Sequence, residues 1–186
     1  MSIQIYKPNK SNTGSAFSFS MGYDKKTNEP TLFVSAIMQH SWDDSKKRGS
    51  FMSNKDLPDK TVTLKFNEFE CGSIINSIKN RFTYETFHKF ENNKTVIKFT
   101  PWDKQTKVSK FDASTKTYKE TTEIIPAFGM TIIKNGNLTF KISIEPGEAE
   151  CLSSFLKTVL GRIYKHRITR PKAKVQQVEE DQECPI

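Results

Sequence analysis

The feature that most constrains this chain is a repeated order: alternating strands that run into a capped helix, twice. Lys60–Phe66 alternates Val62, Leu64 and Phe66 against Thr61, Thr63 and Lys65, the period-2 pattern of a half-buried strand. Asn67 then suits a helix N-cap, with Glu70 three positions on to complete a capping box. Cys71, Ile74, Ile75 and Ile78 follow at i, i+3, i+4 and i+7, which predicts a helix over 67–80. The second half repeats the plan. Leu138, Phe140, Ile142 and Ile144 share one strand face, and from Pro146 on, Ala149, Leu152, Leu156, Val159, Leu160 and Ile163 make an apolar stripe.

Upstream of each helix lie further strands. Ser15–Met21 sets Phe17, Phe19 and Met21 on one face, and Thr31–Met38 reads as a more apolar strand beyond a charged turn. The polar stretch 40–58, punctuated by Gly49, Asn54 and Pro58, is expected to be a loop. Tyr84–Phe90 and Lys94–Trp102 form a second strand pair. Asn135-Gly136-Asn137 joins Phe128–Ile133 to Leu138–Ile144 as a hairpin turn. Residues 104–125, rich in Lys and Thr, read as a flexible excursion or a solvated hairpin. The expected fold is therefore α+β, two antiparallel sheets built from a strand-strand-helix unit used twice, spanning residues 1–164. Residues 165–186 run from basic to acidic without apolar periodicity, so a disordered C-terminal tail is expected there.

Several chemistries leave no trace. The chain lacks a Gly-rich phosphate loop, a G-x-S-x-G elbow and H-E-x-x-H. His40, His88, His166 and the cysteines Cys71, Cys151 and Cys184 share no metal-ligand spacing, so neither a metal nor another cofactor is expected. Asp43-Asp44, crowded by Lys46, Lys47 and Arg48, reads as an exposed loop. His88 reads as packed or hydrogen-bonded, and Cys71 and Cys151 as helix residues in the core. An enzyme is not expected. No apolar run reaches membrane-span length, and Met1-Ser2-Ile3-Gln4 lacks a signal-peptide pattern. With few, scattered cysteines, this favours a reducing cytoplasm, that of a host cell if the chain is phage-encoded.

What remains is charge interleaved with aromatics. The net charge is +8, and Phe alone accounts for 14 of 186 residues, an excess that argues for polyanion binding by a packed domain. Aromatic faces stack on unpaired bases, and lysines and arginines beside them neutralise phosphates. A duplex hides its base faces, so this pairing of residue types favours single-stranded DNA. Lys7, Lys10, Lys46, Lys47, Arg48 and Lys65 are the phosphate candidates; Phe17, Phe19, Trp42, Phe51 and Trp102 are the stacking candidates. The alternation that carries Phe17, Phe19, Phe66 and Phe140 also suits core packing. A transcription regulator or RNA-binding module on the same fold, and a nuclease, are the rival readings.

Two resemblances add to this. The segment Thr63-Leu64-Lys65-Phe66-Asn67-Glu68-Phe69-Glu70-Cys71-Gly72-Ser73-Ile74-Ile75, the strand Glu85-Thr86-Phe87-His88 and Ile142-Ser143-Ile144-Glu145-Pro146-Gly147-Glu148-Ala149-Glu150, followed by Leu152 and Phe155, resemble the Whirly and positive-cofactor-four group of single-stranded-DNA-binding proteins. Ser41-Trp42-Asp43 ahead of Phe51 is similar to a further segment of that group. The group's Lys-Gly-Lys-Ala-Ala-Leu segment has no counterpart beyond Lys7 through Phe17. The resemblance implies two antiparallel sheets, helices that mediate a homo-oligomer (dimer or tetramer), and single strands of DNA lying along sheet edges with bases in apolar pockets. Separately, Glu179, Glu180, Asp181 and Glu183 ahead of Pro185-Ile186 resemble the acidic tip of bacterial and phage single-stranded-DNA-binding proteins. That likeness implies a tail that docks replication and recombination proteins, and with the body it implies a phage-type protein.

Overall fold

The computed structural model describes residues 1–91 and 93–169. Its first sheet has the order β1-β2-β3-β6, from β1 (Ser2–Lys7), β2 (Ser15–Tyr23), β3 (Pro30–Met38) and β6 (Thr61–Phe66). Between β3 and β6 lie a short hairpin, β4 (Ser41–Asp43) and β5 (Arg48–Ser50), and a single 3-10 turn at Met52–Asn54. Helix α1 (Glu68–Asn80) follows. The second sheet, in the order β10-β9-β8-β7, comprises β7 (Tyr84–Phe90), β8 (Asn93–Asp112), β9 (Thr117–Lys134) and β10 (Leu138–Ile144). Helix α2 (Pro146–Thr169) comes last. All pairings are antiparallel. The expected sheet-helix-sheet-helix order is thus the one found.

The period-2 pattern decides which faces meet. Phe17 and Phe19 of β2, Leu32, Val34 and Ala36 of β3, and Val62, Leu64 and Phe66 of β6 point inward. They share one core with Ile97 and Phe99 of β8, Met130 and Ile132 of β9, and Phe140, Ile142 and Ile144 of β10. The helices close this core with Cys71 and Ile74 from α1 and Leu152, Leu156 and Val159 from α2. Phe17 and Phe19 are 1% and 0% exposed, so neither ring has a face free to stack on a base, and both leave the stacking set. The reason is tertiary: the second sheet and α2 cover the face that the alternation creates.

Helix α1 starts as its sequence dictates. Asn67 Oδ1 accepts from the Glu70 N–H at 2.9 Å, and the Asn67 N–H donates to Glu70 Oε2 at 2.8 Å, a complete capping box. The other oxygen, Glu70 Oε1, lies 2.6 Å from His88 Nε2. His88 therefore spends its ring holding β7 to the start of α1, the hydrogen-bonded role expected of it.

Three expectations change. The stretch 40–58 holds the β4–β5 hairpin and the 3-10 turn rather than loop alone. Cys151 is exposed on α2; of these two, Cys71 alone is buried, where desolvation pushes its thiol up to about 12 and keeps it protonated and inert. Residues 165–169 are the last turn of α2 and not the start of a tail. Arg167 holds that turn with Nη1 2.8 Å from Glu68 Oε1 and Nε 3.3 Å from Glu29 Oε1. The guanidinium depresses the Glu68 carboxyl below its ordinary range, so the tie is fully present above that range and weakens as the pH falls through it. Residues 170–186, and with them Glu179, Glu180, Asp181, Glu183, Pro185 and Ile186, lie outside the described residues.

Candidate nucleic-acid interface

The outward face of the first sheet carries short side chains in rows set by strand register. Tyr6, Ala16, Ile37 and Thr61 form one row; Gln4, Ser18, Ser35 and Thr63 the next; Ser2, Ser20, Phe33 and Lys65 the third. Ser35 Oγ and Thr63 Oγ1 are hydrogen-bonded at 2.9 Å. Serine, alanine and threonine give a low floor, so the face is hollow where its neighbours stand tall.

The β4–β5 hairpin and the turn after it form the wall. Together with the floor they enclose an open groove of about 1170 Å³, lined by Tyr6, Trp42, Lys46, Lys47, Arg48 and Phe51 among others. Four strands spaced about 4.8 Å apart make its floor roughly 14 Å across. The hairpin turn is built by its own acids. Asp43 Oδ1 accepts from the Ser45 hydroxyl at 2.6 Å and from the Ser45 and Lys46 N–H groups at 2.9 and 3.1 Å. The Ser45 hydroxyl, then the Lys46 N–H, holds the Asp43 carboxyl below its ordinary value. Asp44 Oδ1 accepts from Trp42 Nε1 at 3.2 Å, which fixes the indole against the turn. Phe51 meets Tyr6 edge to face, ring centroids 6.0 Å apart. These aromatics come from different segments of the chain, and Tyr6, distant in sequence, joins the candidates only in three dimensions.

One buried residue aims the wall. Gln39 Oε1 accepts from the Asn9 N–H at 2.8 Å; its Nε2 donates to the Asn9 and Ser41 carbonyls at 2.8 and 3.0 Å and to Asn12 Oδ1 at 3.1 Å. It ties the hairpin base to the 9–12 loop. The two loops approach so closely that a Cβ at Gly49 would lie 2.4 Å from Pro8 Cβ, and one at Gly14 2.5 Å from Gln39 Oε1. Gln39→Leu is expected to strand the half-buried Asn9 N–H and Ser41 carbonyl, costing roughly 1 kcal/mol. The hairpin should loosen while the core stays packed. Hydrogen exchange of residues 41–50 checks this: faster exchange there, with β8 and β9 unchanged, is the expected pattern.

The candidate residues divide by place. Trp42, Lys46, Lys47, Arg48 and Phe51 line the groove, and Lys10 reaches its rim through a 3.2 Å pair with Asp44. Lys65 sits at the far end of the same face, 2.6 Å from Asp24, whose carboxyl that lysine depresses strongly. Lys7 turns to the helix side and pairs with Glu148 at 2.7 Å. Trp102 stands apart on β8, where its carbonyl accepts from Arg81 Nη2 at 3.3 Å. The pairs of Lys46 with Asp43 and Lys47 with Asp44, at 4.0 and 3.8 Å between exposed side chains, are weak. Arg48 has no acidic partner among the described residues. A rim of this kind can exchange carboxylates for phosphates at little cost.

Two solved structures share this architecture. WHY1 from Arabidopsis thaliana superposes with a TM-score of 0.55 at 14% identity, over 90% of this chain and 88% of that one. The plant transcriptional regulator PBF-2 gives 0.53 at 12% identity, over 93% of this chain and 89% of its own. The fold is Whirly-like. At such identities the likeness concerns the backbone alone. No protein-family model and no curated protein matches the chain. Any site must be argued from its own residues. Among the described residues, no helix is long and apolar enough to cross a membrane.

Proposed function

We propose that this protein binds single-stranded DNA with little sequence preference, coating and protecting it during replication or recombination without catalysing a reaction. The observation that carries the reading is the groove. Its floor is low and rich in hydroxyls, Tyr6, Trp42 and Phe51 form its walls, and Lys46, Lys47 and Arg48 stand at its rim. Unpaired bases can stack on those rings while phosphates meet the cations. A duplex hides the base faces that those rings would stack on, so the pairing of residue types favours an unpaired strand. Stacking and phosphate contacts read no base identity, which accounts for the weak preference.

The rest of the reading extends from there. The protein works in a cytoplasm, that of the host if it is phage-encoded, as a homodimer or homotetramer. Phe69 on α1 and Ile168 on α2 are exposed apolar side chains on the helices, which supports association through that side. The acidic tip, Glu179 to Ile186, recruits replication partners. A regulator of transcription, as the name of PBF-2 says of that protein, or an RNA-binding module, is the second reading; stronger binding of promoter duplex or structured RNA than of dT would favour it.

Trp42→Ala is expected to weaken dT binding by about 1–3 kcal/mol, the worth of one stacked base. The indole stands outside the core, so thermal stability should change little. Fluorescence anisotropy checks it, and unchanged affinity in a folded variant would remove Trp42 from the interface.

A further inference from the structure

Strands β8 and β9 outrun their sheet. Pairing with β7 ends at Tyr84↔Phe99 and pairing with β10 at Ile144↔Phe128, yet β8 and β9 stay paired out to Asp112↔Thr117. Trp102, Asp103 and Lys104 are still tied to Arg81 and Glu145, and beyond Lys104 the two strands alone run about 25 Å into solvent. A ribbon of two strands has no core to hold it. The backbone ladder forms this one, and cross-strand pairs line it: Lys107 with Glu120 at 3.6 Å, Lys110 with Glu123 at 2.5 Å and Lys119 with Asp112 at 2.5 Å. These pairs engage every acid between residues 104 and 125, while Lys116 at the tip has no acidic partner among the described residues.

Two rings stand at that tip. Phe111 and Tyr118 face each other across the register, edge to face at 5.4 Å, and are 57% and 73% exposed. They pack against no core residue. The root of the arm is equally placed. Lys104 Nζ lies 2.6 Å from Glu145 Oε1, and Lys7 Nζ lies 3.8 Å from the same oxygen. Lys7 precedes Pro8, which lines the groove, so the arm springs from the Tyr6–Pro8 end of that groove.

We propose that the tip of this arm, Phe111 and Tyr118 with Lys116, is a second contact for the strand of DNA that occupies the groove, meeting it further along its path once it has left past Tyr6 and Pro8. The inference rests on the groove reading and extends it. Exposed rings beside an unpaired cation suit a base and its phosphate. A second copy of the chain suits the arm less well, because Val108 and Ile124 are scattered among Lys, Thr and Glu and offer no continuous apolar face of the size a stable dimer buries.

The test uses the full chain, the double variant Phe111→Ala/Tyr118→Ala, and a shortened arm in which Thr106–Glu123 is replaced by Asn-Gly, a two-residue hairpin turn. Each is titrated against dT of roughly 10 and roughly 40 nucleotides, lengths that fill the groove or overrun it. Both variants are expected to bind the long strand at least fivefold more weakly and the short strand within about twofold of the parent. Equal binding of the long strand by all three proteins overturns the arm's role and leaves the groove standing. Dissociation of an oligomer by the shortened arm, with long-strand affinity per protomer unchanged, overturns it in favour of a contact between copies. If the parent binds neither length, the groove reading fails and the arm's role fails with it.

Discussion

Phe19→Ala should destabilise the protein by about 3–5 kcal/mol, the usual cost of truncating a fully buried phenylalanine. The ring is 0% exposed, on the inner face of β2 between Ile3 of β1 and Val34 of β3. The loss is the transfer free energy of the ring plus the cavity left behind, because sheet neighbours fixed by backbone pairing cannot collapse to fill it. Against a typical total of about 5–15 kcal/mol, that is a large fraction. Urea unfolding followed by far-UV circular dichroism should show the midpoint falling at an unchanged slope. The molecules that remain folded should bind dT as the parent does. A variant of parental stability with lost binding would instead put the ring in the interface.

The largest effect on binding is expected from Lys46→Ala/Lys47→Ala/Arg48→Ala. If each side chain neutralises one phosphate, the log–log salt slope should fall in magnitude by about 2, at roughly 0.7 per contact for single strands. The same relation makes the variant roughly fiftyfold weaker near 0.15 M salt and nearly equal to the parent near 1 M, where counterion release no longer drives binding. Stability should barely move, since Lys46 and Lys47 are exposed and their ion pairs are long. A uniform loss at all salt concentrations would mean that the substitutions had disturbed the hairpin rather than removed phosphate contacts.

The fold was largely legible because its signals are local. Val62, Leu64 and Phe66 announce a strand, Asn67 and Glu70 cap the next helix, and Asn135-Gly136-Asn137 turns a hairpin, each without help from distant residues. Other elements owe their form to partners. β1 offers only Ile3 and Ile5 as apolar beats, and its strand is made by pairing with β2. The arm of β8 and β9 has almost no aliphatic residues to alternate, and lysine-carboxylate pairs across the strands take their place.

The candidate site was legible where its residues are neighbours in sequence. Trp42, Lys46, Lys47, Arg48 and Phe51 fall within one hairpin and the turn beside it, and proximity along the chain became proximity in space. Tyr6 and Gln39 could not be found that way, since their roles exist only once β1 and the 9–12 loop meet the hairpin. Phe17 and Phe19 show the opposite limit. Period 2 gives a strand two faces and is silent on which one the rest of the protein will cover. Lys7 and Trp102 lie off the groove for a similar reason: Lys7, at the end of β1, turns to Glu148 of α2, and Trp102, in the middle of β8, belongs to the other sheet.

The central claim is that the groove on the first sheet takes an unpaired strand. Fluorescence anisotropy of labelled dT against a duplex of matched length, repeated across a salt series, tests it most directly. Tighter binding of dT than of duplex, with affinity falling steeply and linearly in log salt, is the predicted result, and the slope divided by about 0.7 counts the phosphates engaged. Duplex binding equal to or stronger than dT binding would contradict the account, and would make the basic rim a general DNA surface.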